Sequence, residues 1–511
     1  MKIISQKHLK SFDAGGRISA ADMQARKKWS EAVLIGLTIL VLILMISRCF
    51  WQFDFDDGYI TYRIAENISS GAGWVYNSGV KVNGATSVLW TGLLALGSLL
   101  FGNAAGAAHW LSGFLAIIAA LLLWRLFRED LSLTASSMGL LLIVTQPLLW
   151  ISLGLETHLL LACAVAAFWF DHLDRELALG LALGALILTR PDGAVLAALL
   201  LARRTSSTGS MAWRSIAMMG LLVLPWLLFS WSYFGTVLPN TLAAKMAQGR
   251  SGAWSVAMPW PFSSLPIFLT GLIDWWRNVY GLAGAVGLMI LTLAPGPRRS
   301  RMLCLVVIWS ILHLAAYAWL NVPNYHWYYL PVILAFGVTV GDGIERCRRW
   351  QQTTLRRIGL SFSALVLAWV IYLHGHFVWS VCQQPLASRE RAYRTVGLWL
   401  RANAKPDAPL AAMEIGSIGY FSHLHMIDMT GIIDREGPAQ VAKGNLGWWF
   451  EQRRPDLVLV HDPMAHFERA AVEYPELVQQ YRVWKAFRFQ DYGNLVVFRH
   501  KAFKVRPARK P

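Results

Sequence analysis

Residues 54–91 read DFDDGYITYRIAENISSGAGWVYNSGVKVNGATSVLWT, and this polar stretch stands between the first long apolar run and all the later ones. Asp54, Asp56 and Asp57 fall where a membrane helix should be leaving the bilayer. Behind them Ile60, Ile64 and Ile68 recur every four residues, with Arg63, Glu66 and Asn67 on other faces. That spacing predicts an amphipathic helix lying on the membrane surface. Ser70-Gly71 can end it, because glycine accepts the left-handed cap. A turn at Asn77–Gly79 then leads through Gly84-Ala85-Thr86-Ser87 into another apolar run. Carboxylates at a helix exit, backed by a surface helix, suit acid/base chemistry at a membrane interface.

The rest of the composition agrees with a membrane setting. The chain has 511 residues, 55% of them hydrophobic, with mean hydropathy +0.42. It holds many uncharged runs of spanning length. Its 25 tryptophans suit rings at lipid–water boundaries. The net charge of +17 lies mostly in short segments between apolar runs, where it sets topology. No nucleic-acid module accompanies it, so nucleic acid is excluded as a partner. The cysteines, Cys49, Cys163, Cys304, Cys347 and Cys382, are scattered and show no CxxC spacing. They form neither a zinc site nor a disulfide framework. Cys49 and Cys382 fall near helix ends on one side, but unpaired thiols are the expectation. No cleavable signal and no internal repeat are visible.

Charge asymmetry orders the chain. Lys2, Lys7, Lys10, Arg17, Arg26, Lys27 and Lys28 put the N-terminal segment 1–28 in the cytoplasm. A first span at 29–50 carries the aspartates outside. The run 86–102 is expected to dip in or lie along the surface, because a full crossing would leave Arg125 and Arg128 outside. Spans then follow at 106–124, 135–152, 158–170, 177–189, 193–202, 213–233, 279–295, 302–320, 330–343 and 358–380. The count is about eleven, several of them short of the ~20 residues a crossing usually takes. A long outer loop is expected at 234–277. From 383 to 500 charge is dense and apolar runs are short. Strands are expected at 456–461 and 494–498, helices at 389–403 and 465–481, and the whole as an α/β domain outside the membrane. Residues 501–511 read as a basic tail.

The run DDGYITYRIAENISSGAGWVYNSGVKVNGATSVLW resembles the first external loop of a branch of the GT-C glycosyltransferases, polytopic enzymes that take a sugar from a polyprenyl phosphate. The branch includes mycobacterial terminal arabinofuranosyltransferases and bacterial relatives that decorate surface glycans or pilins. The segment from Met413 to Gly437, with its Gly-Xaa-Ile-Gly-Tyr turn before Asp-Xaa-Xaa-Gly, is similar to the same family. The resemblance implies a GT-C fold: an α-helical polytopic transmembrane domain at 29–382, with the catalytic outer loop at 51–91 and an extracytoplasmic α/β domain beyond. It also implies a bacterial inner-membrane location with the site on the periplasmic side. The donor would be a polyprenyl-phosphate-linked sugar, arabinofuranose first, with hexose open. The acceptor would be a glycan or a protein.

Every motif with unusual chemistry falls on the outer side of this topology, and ionisable groups at membrane depth are functional candidates by default. An acceptor hydroxyl must lose a proton as it attacks, so a carboxylate can serve as general base. The resemblance assigns that role to Asp56, with Asp57 assisting or holding a divalent cation such as Mg, Mn or Ca. Helix capping is the plain alternative for both. Glu156, in Gly154-Leu155-Glu156-Thr157, borders the site in the family pattern or simply starts a helix. Arg190, in Arg190-Pro191-Asp192, either binds donor phosphate or forms a structural ion pair. Leu238-Pro239-Asn240-Thr241 with Lys245 matches an LPNTxxAK signature. A cation there would stabilise the departing phosphate. In Asn324-Tyr325-His326-Trp327-Tyr328-Tyr329, Tyr328 stands where relatives carry an arginine, which leaves His326 as the basic group on the phosphate. Tyr59, Arg63, Glu156, Asn240 and Tyr328 are expected around the substrates. A transporter or flippase of a lipid-linked sugar is the competing class. It would show internal repeats and mid-membrane broken helices, and this chain shows neither.

Overall fold

The computed structural model describes residues 20–51, 53, 55–251, 265–296, 301–383, 388–472 and 474–503. The basic residues Lys2 to Arg17, Asp54, the 252–264 part of the long loop and the tail from 504 lie outside the described residues.

Apolar sequence in lipid must satisfy its own backbone, and helices do so within one segment. Each of the eleven expected spans is occupied by helix. Six described segments are long and apolar enough to cross a membrane: Ser30–Cys49, Ala104–Asp130, Trp213–Phe234, Met302–Leu320, His326–Arg348 and the run that starts at Thr353. Thr157–His172 and Glu176–Thr189 are shorter apolar helices. The expected 135–152 span is two helices, Leu133–Val144 and Pro147–Ile151. Pro147 cannot donate to the first and so begins the second. Leu34, Leu37 and Leu44, and across the bundle Leu221, Leu228 and Trp231, turn outward from it, as a lipid-facing belt requires.

The helix ends sort into two sets. Asp171, Arg203, Glu345 and Arg349 surround one polar cavity, where Arg204 bonds Asp174 at 3.1 Å. Asp57, Glu156, Arg190 and Lys245 meet at the other end. This is the alternation that charge asymmetry predicts.

The Val88–Phe101 helix is one of the shorter apolar helices. Its 14 residues rise about 21 Å, as the 14 residues of Glu176–Thr189 do. It runs beside the Asp56–Ser69 helix along their common length. Trp90 and Leu94 pack with Tyr59, Tyr62 and Ala65, and Glu66 caps Ala104 N at 3.1 Å.

The Asp56–Ser69 helix itself departs from expectation. It is covered on both sides and does not lie on lipid. Ile60 and Ile64 pack into the core of the C-terminal domain, whereas Tyr59, Tyr62 and Ala65 face the membrane bundle. Periodicity marked an apolar stripe but carried no information on a distant domain that closes over it. Part of the expected loop 234–277 is likewise helical, as Asn240–Arg250 and from Leu265 onward. Cys49 and Cys382 are disulfide-bonded, contrary to expectation. The first and last spans end side by side, a proximity that a sequence separation of 333 residues conceals.

The C-terminal domain carries a five-stranded mixed sheet of β1 (Pro409–Ala412), β2 (His425–Asp428), β3 (Leu457–Asp462), β4 (Tyr481–Phe489) and β5 (Gly493–His500), in the order β2-β1-β3-β5-β4. β1 is parallel to β2 and β3, and β5 is antiparallel to β3 and β4. The period-two alternation sends Leu410, Leu457 and Leu459 to one face, with Tyr393 and Val396 of helix Ser388–Asn403. Ala411, Val458 and Val460 go to the other, under Trp448, Trp449 and Phe467. The expected helix at 465–481 is two helices, His466–Val472 and Pro475–Gln480, the second again begun by a proline.

Candidate active site

One cavity collects the polar groups of five separate motifs. Asp57, Glu156, Arg190, Lys245 and Tyr328 all line it, together with Tyr317, Thr86, Thr241 and Ile432. Asp57 comes from the first turn of the Asp56–Ser69 helix. Glu156 precedes Thr157–His172, and Arg190 ends Glu176–Thr189. Lys245 sits on Asn240–Arg250. The two loop motifs are tied directly: Thr86 and Thr241 hydroxyls are 2.6 Å apart, and Asn240 N donates to Asn83 O at 2.9 Å.

The two cations differ in their surroundings. The Arg190 guanidinium donates to Glu156 Oε1 at 2.9 Å, to both oxygens of Asp192 and to Tyr317 Oη at 2.7 Å. It is buried and neutralised by two carboxylates, as the ion-pair alternative requires. Lys245 instead sits in an aromatic corner. Its Nζ lies 4.6 Å from the Tyr325 ring centre, 5.6 Å from Trp327 and 3.4 Å from Tyr328 Oη. Such faces attract an ammonium without neutralising it. Among the described residues no carboxylate stands within ion-pair distance of it.

The adjacent aspartates also diverge. Asp56 is 3% exposed and turned toward the C-terminal domain. It accepts from Ser417 N at 2.7 Å and Gly416 N at 3.2 Å. Glycine is required at 416, where a Cβ would stand 1.9 Å from the Asp56 carbonyl oxygen. Burial pushes the Asp56 carboxyl up to about 6, against the Ser417 amide, and the Asp57 charge adds to the push. Asp57 faces the cavity. Burial raises its pKa while Lys245 and Arg389 oppose the rise and Glu156 adds to it.

The remaining expected residues scatter. Tyr59 packs against Tyr420 and Phe421, with ring centres 5.0 and 5.1 Å away; it is a wall residue outside the cavity. Arg63 ties the loop to the C-terminal domain through Gly419 O at 2.8 Å and Leu424 O at 2.7 Å. The Asn240 amide does the same through Gly431 O, Ile432 O and Asp434 O at 2.8–2.9 Å. These two hold the domain over the site rather than line the cavity. His326 stands outside as well, edge-on to Phe55 at 5.2 Å and lining a separate, mostly apolar cavity with Trp275 and Phe377.

Sequence reading gave no role to Glu414, Arg389 and Ile432 of the C-terminal domain. Burial pushes the Glu414 carboxyl up to about 8, with Asp56 adding and Arg389 opposing. The signal was present in the Met413–Gly437 segment, but only folding lays it against Asp56. A divalent cation at Asp56 and Asp57 would share the Asp56 oxygens with backbone amides. Both Asp56 oxygens accept from backbone amides. Among the described residues no three His, Cys, Asp or Glu side chains converge as a metal cage.

Comparison with known proteins follows the same lines. A domain of unknown function (DUF8728) matches residues 383–505. The chain is 28% identical over 260 residues to the terminal β-(1→2)-arabinofuranosyltransferase of Mycobacterium tuberculosis (strain ATCC 25618 / H37Rv), covering 44% of this chain and 40% of that protein. The match therefore spans well under half of the curated relative. In fold, the chain is similar to ArnT from Cupriavidus metallidurans bound to undecaprenyl phosphate, with TM-score 0.59 at 13% identity over 93% of this chain and 99% of that one. The mycobacterial arabinofuranosyltransferase AftD aligns with TM-score 0.50 at 13% identity, covering 92% of this chain and 40% of AftD. The architecture is thus that of the GT-C class, a helical membrane bundle under a small α/β domain.

Proposed function

We propose that the protein is an inverting membrane glycosyltransferase. It moves a sugar, of arabinofuranose type, from a polyprenyl-phosphate donor to a hydroxyl of a cell-surface glycan or protein. One observation carries this: a carboxylate and an ammonium without a carboxylate partner, Asp57 and Lys245, line one cavity. The acceptor oxygen attacks the anomeric carbon and gives its proton to the Asp57 carboxylate. The anomeric C–O bond breaks and its electron pair leaves on the phosphate, beside Lys245. General-base help of this kind is worth about 10²–10⁴ in rate. In this assignment Asp57, not Asp56, takes the proton, because Asp57 lines the cavity while Asp56 is turned to the 416–417 amides. Asp56 orders the loop. The Arg190–Glu156–Asp192 group keeps the cavity's shape. The similar proteins, an arabinofuranosyltransferase and a protein bound to undecaprenyl phosphate, support the substrate class.

The site belongs on the outer face of a bacterial inner membrane. Charge asymmetry supports this, and so does the Cys49–Cys382 disulfide, since such bonds persist in oxidising compartments. A membrane-impermeant thiol reagent should label a cysteine placed at Ser78, and a cysteine at Ser207 only after permeabilisation. The activity is tested with purified protein, polyprenyl-phosphoryl-arabinofuranose and an arabinoside acceptor. Transfer with an inverted anomeric centre is expected. Failure of every pentose and hexose donor to react would reject the reading.

A further inference from the structure

A long trough runs along the C-terminal domain beside the catalytic cavity. It is made of two spaces, of about 850 Å³ and 440 Å³. Asn77 and His425 line both, so the two are continuous there. The larger part is lined by Lys81, Tyr233, Asp434, Glu436 and Arg453. The smaller part is lined by Glu66, Asp407, Tyr420 and His423. Together they exceed the space of about 300–1,000 Å³ that one small molecule takes, as a site for an extended polymer would.

At one end the trough shares a wall with the catalytic cavity. Val82 and Ile433 line the trough. Gly84 and Ile432 line the cavity that holds Asp57 and Lys245. A Cβ at Gly84 would stand 3.2 Å from Ile433 Cγ2, so the two loops touch and the wall is one residue thick. Asn240 fixes both sides of it: its amide holds Gly431 O and Ile432 O, and its backbone N–H donates to Asn83 O at 2.9 Å. A chain lying in the trough therefore ends at the rim of the catalytic cavity.

The lining says what kind of chain fits. The trough follows β2, the outermost strand of the sheet on this side, and an open strand edge would pair with an extended peptide. This edge is closed. The Asn77 side chain takes Met426 N at 3.0 Å and Met426 O at 2.8 Å. Ser422 Oγ takes Leu424 N at 3.3 Å, and Arg63 takes Leu424 O at 2.7 Å. Recognition is left to side chains. Their charges are largely spent on one another: Arg453 bonds Asp434 at 2.8 Å and Glu436 at 2.7 Å, and Arg435 bonds Phe234 O. A strongly charged polymer gains little here. Lys81 is exposed, and its Nζ lies 4.5 Å from the centre of the Tyr233 ring, which Phe229 fixes by stacking at 5.1 Å. An aromatic ring beside carboxylates, an amide and cations suits a chain that presents both C–H faces and many hydroxyls. That is a neutral glycan.

We propose that this trough seats the acceptor as an oligosaccharide of several units. The proposal rests on the glycosyltransferase reading and chooses the glycan over the protein acceptor. The terminal unit crosses the Gly84–Ile432 rim and offers its hydroxyl to Asp57, while the preceding units stay in the trough. A sugar ring takes the place of the Lys81 head on Tyr233, and the ammonium donates to its hydroxyls. These residues bind the acceptor and take no part in bond making, so acceptor use grows with chain length.

The test uses the full-length enzyme in detergent with polyprenyl-phosphoryl-arabinofuranose as donor. The acceptors are a single-unit arabinoside and a linear arabinofuranose hexasaccharide. The wild-type kcat/KM for the hexasaccharide should exceed that for the single unit by about tenfold or more, the factor that one further well-made contact gives. Tyr233→Ala and Lys81→Ala should each bring the two acceptors to within about threefold of one another. Lys81 is exposed, so its variant guards against a folding defect in the other. Saturation-transfer NMR with the hexasaccharide and no donor should show contact to several units, which reads the trough apart from turnover. No transfer from any donor to any acceptor would overturn the underlying reading, and the acceptor trough with it. Transfer at a rate that ignores chain length and both substitutions would overturn the trough alone. Transfer to a folded surface protein and to no oligosaccharide would overturn the glycan assignment.

Discussion

Two cations share the cavity wall and are held in opposite ways. Arg190 is buried, bonded to Glu156, Asp192 and Tyr317, and carries no surplus charge to the cavity. Lys245 is half-buried against Tyr325, Trp327 and Tyr328 and keeps its charge for an incoming anion. Sequence offered both as phosphate ligands, with a structural ion pair as the alternative for Arg190. The difference lies in the partners: a guanidinium presents five donors in a rigid fork that two carboxylates can saturate, whereas an ammonium over aromatic faces stays electrostatically available. Position in a cavity is therefore a weak guide to role, and the state of the charge is the stronger one. The same contrast separates Asp56, hydrogen-bonded to two backbone amides, from Asp57, which faces the cavity.

The most severe test of that contrast is on the aspartates. Asp57→Asn should lower kcat by about 10²–10⁴ in a protein that still inserts and folds, because asparagine cannot take the proton. Asp56→Asn should act mainly on stability. It exchanges an acceptor shared by two amides for one with a single oxygen and costs about 1–3 kcal/mol, read as a lower midpoint of thermal unfolding in detergent. If Asp56→Asn alone abolished turnover, the two roles would be exchanged.

Arg190 and Lys245 should then part company. Arg190→Ala leaves Glu156 and Asp192 buried without their cation, which costs about 3–5 kcal/mol, visible as loss of thermal stability or of folded yield. Lys245→Ala should leave stability near wild type and instead weaken donor use. A charge-assisted contact to phosphate is worth about 1.5–3 kcal/mol, or roughly ten- to a hundredfold in kcat/KM for the donor. A stable Arg190→Ala enzyme with impaired donor use would move Arg190 into the same class as Lys245.

The smallest effect is the most diagnostic of charge. The Asp57 carboxyl sits above its ordinary range because it is buried. Below its pKa it already holds a proton and cannot accept another, so kcat/KM should fall as pH drops through a value above the usual carboxylate range. Lys245 opposes that rise. In Lys245→Ala the acid limb should therefore move further up in pH. A limb that stayed in place would show that the two groups do not sense each other.

Glycine and asparagine positions show how far the loop was legible. Gly416 was visible as part of a Gly-Xaa-Ile-Gly turn, but the reason for it is the Asp56 backbone pressed against it. Asn240 was visible as part of the LPNT signature, and its task is to hold the 431–434 loop whose Ile432 closes the cavity. His326 was placed on the phosphate because it was the basic residue nearest a familiar pattern. Its ring instead turns to Phe55 and a neighbouring apolar cavity.

Sequence alone determined the helical membrane bundle and the alternation of helix ends, and it named a wider candidate set, led by Asp56, of which Asp57, Glu156, Arg190, Lys245 and Tyr328 line one cavity. Those follow from apolar run length, charge bias and local motifs, which are properties of neighbours along the chain. Tertiary structure decided what lies 300 residues apart: the Cys49–Cys382 bond, the closure of the C-terminal domain over the Asp56–Ser69 helix, and the saturation of Arg190 beside the unneutralised Lys245. Each depends on which groups meet in space, and burial and pairing there set whether a charge holds the fold or remains for chemistry.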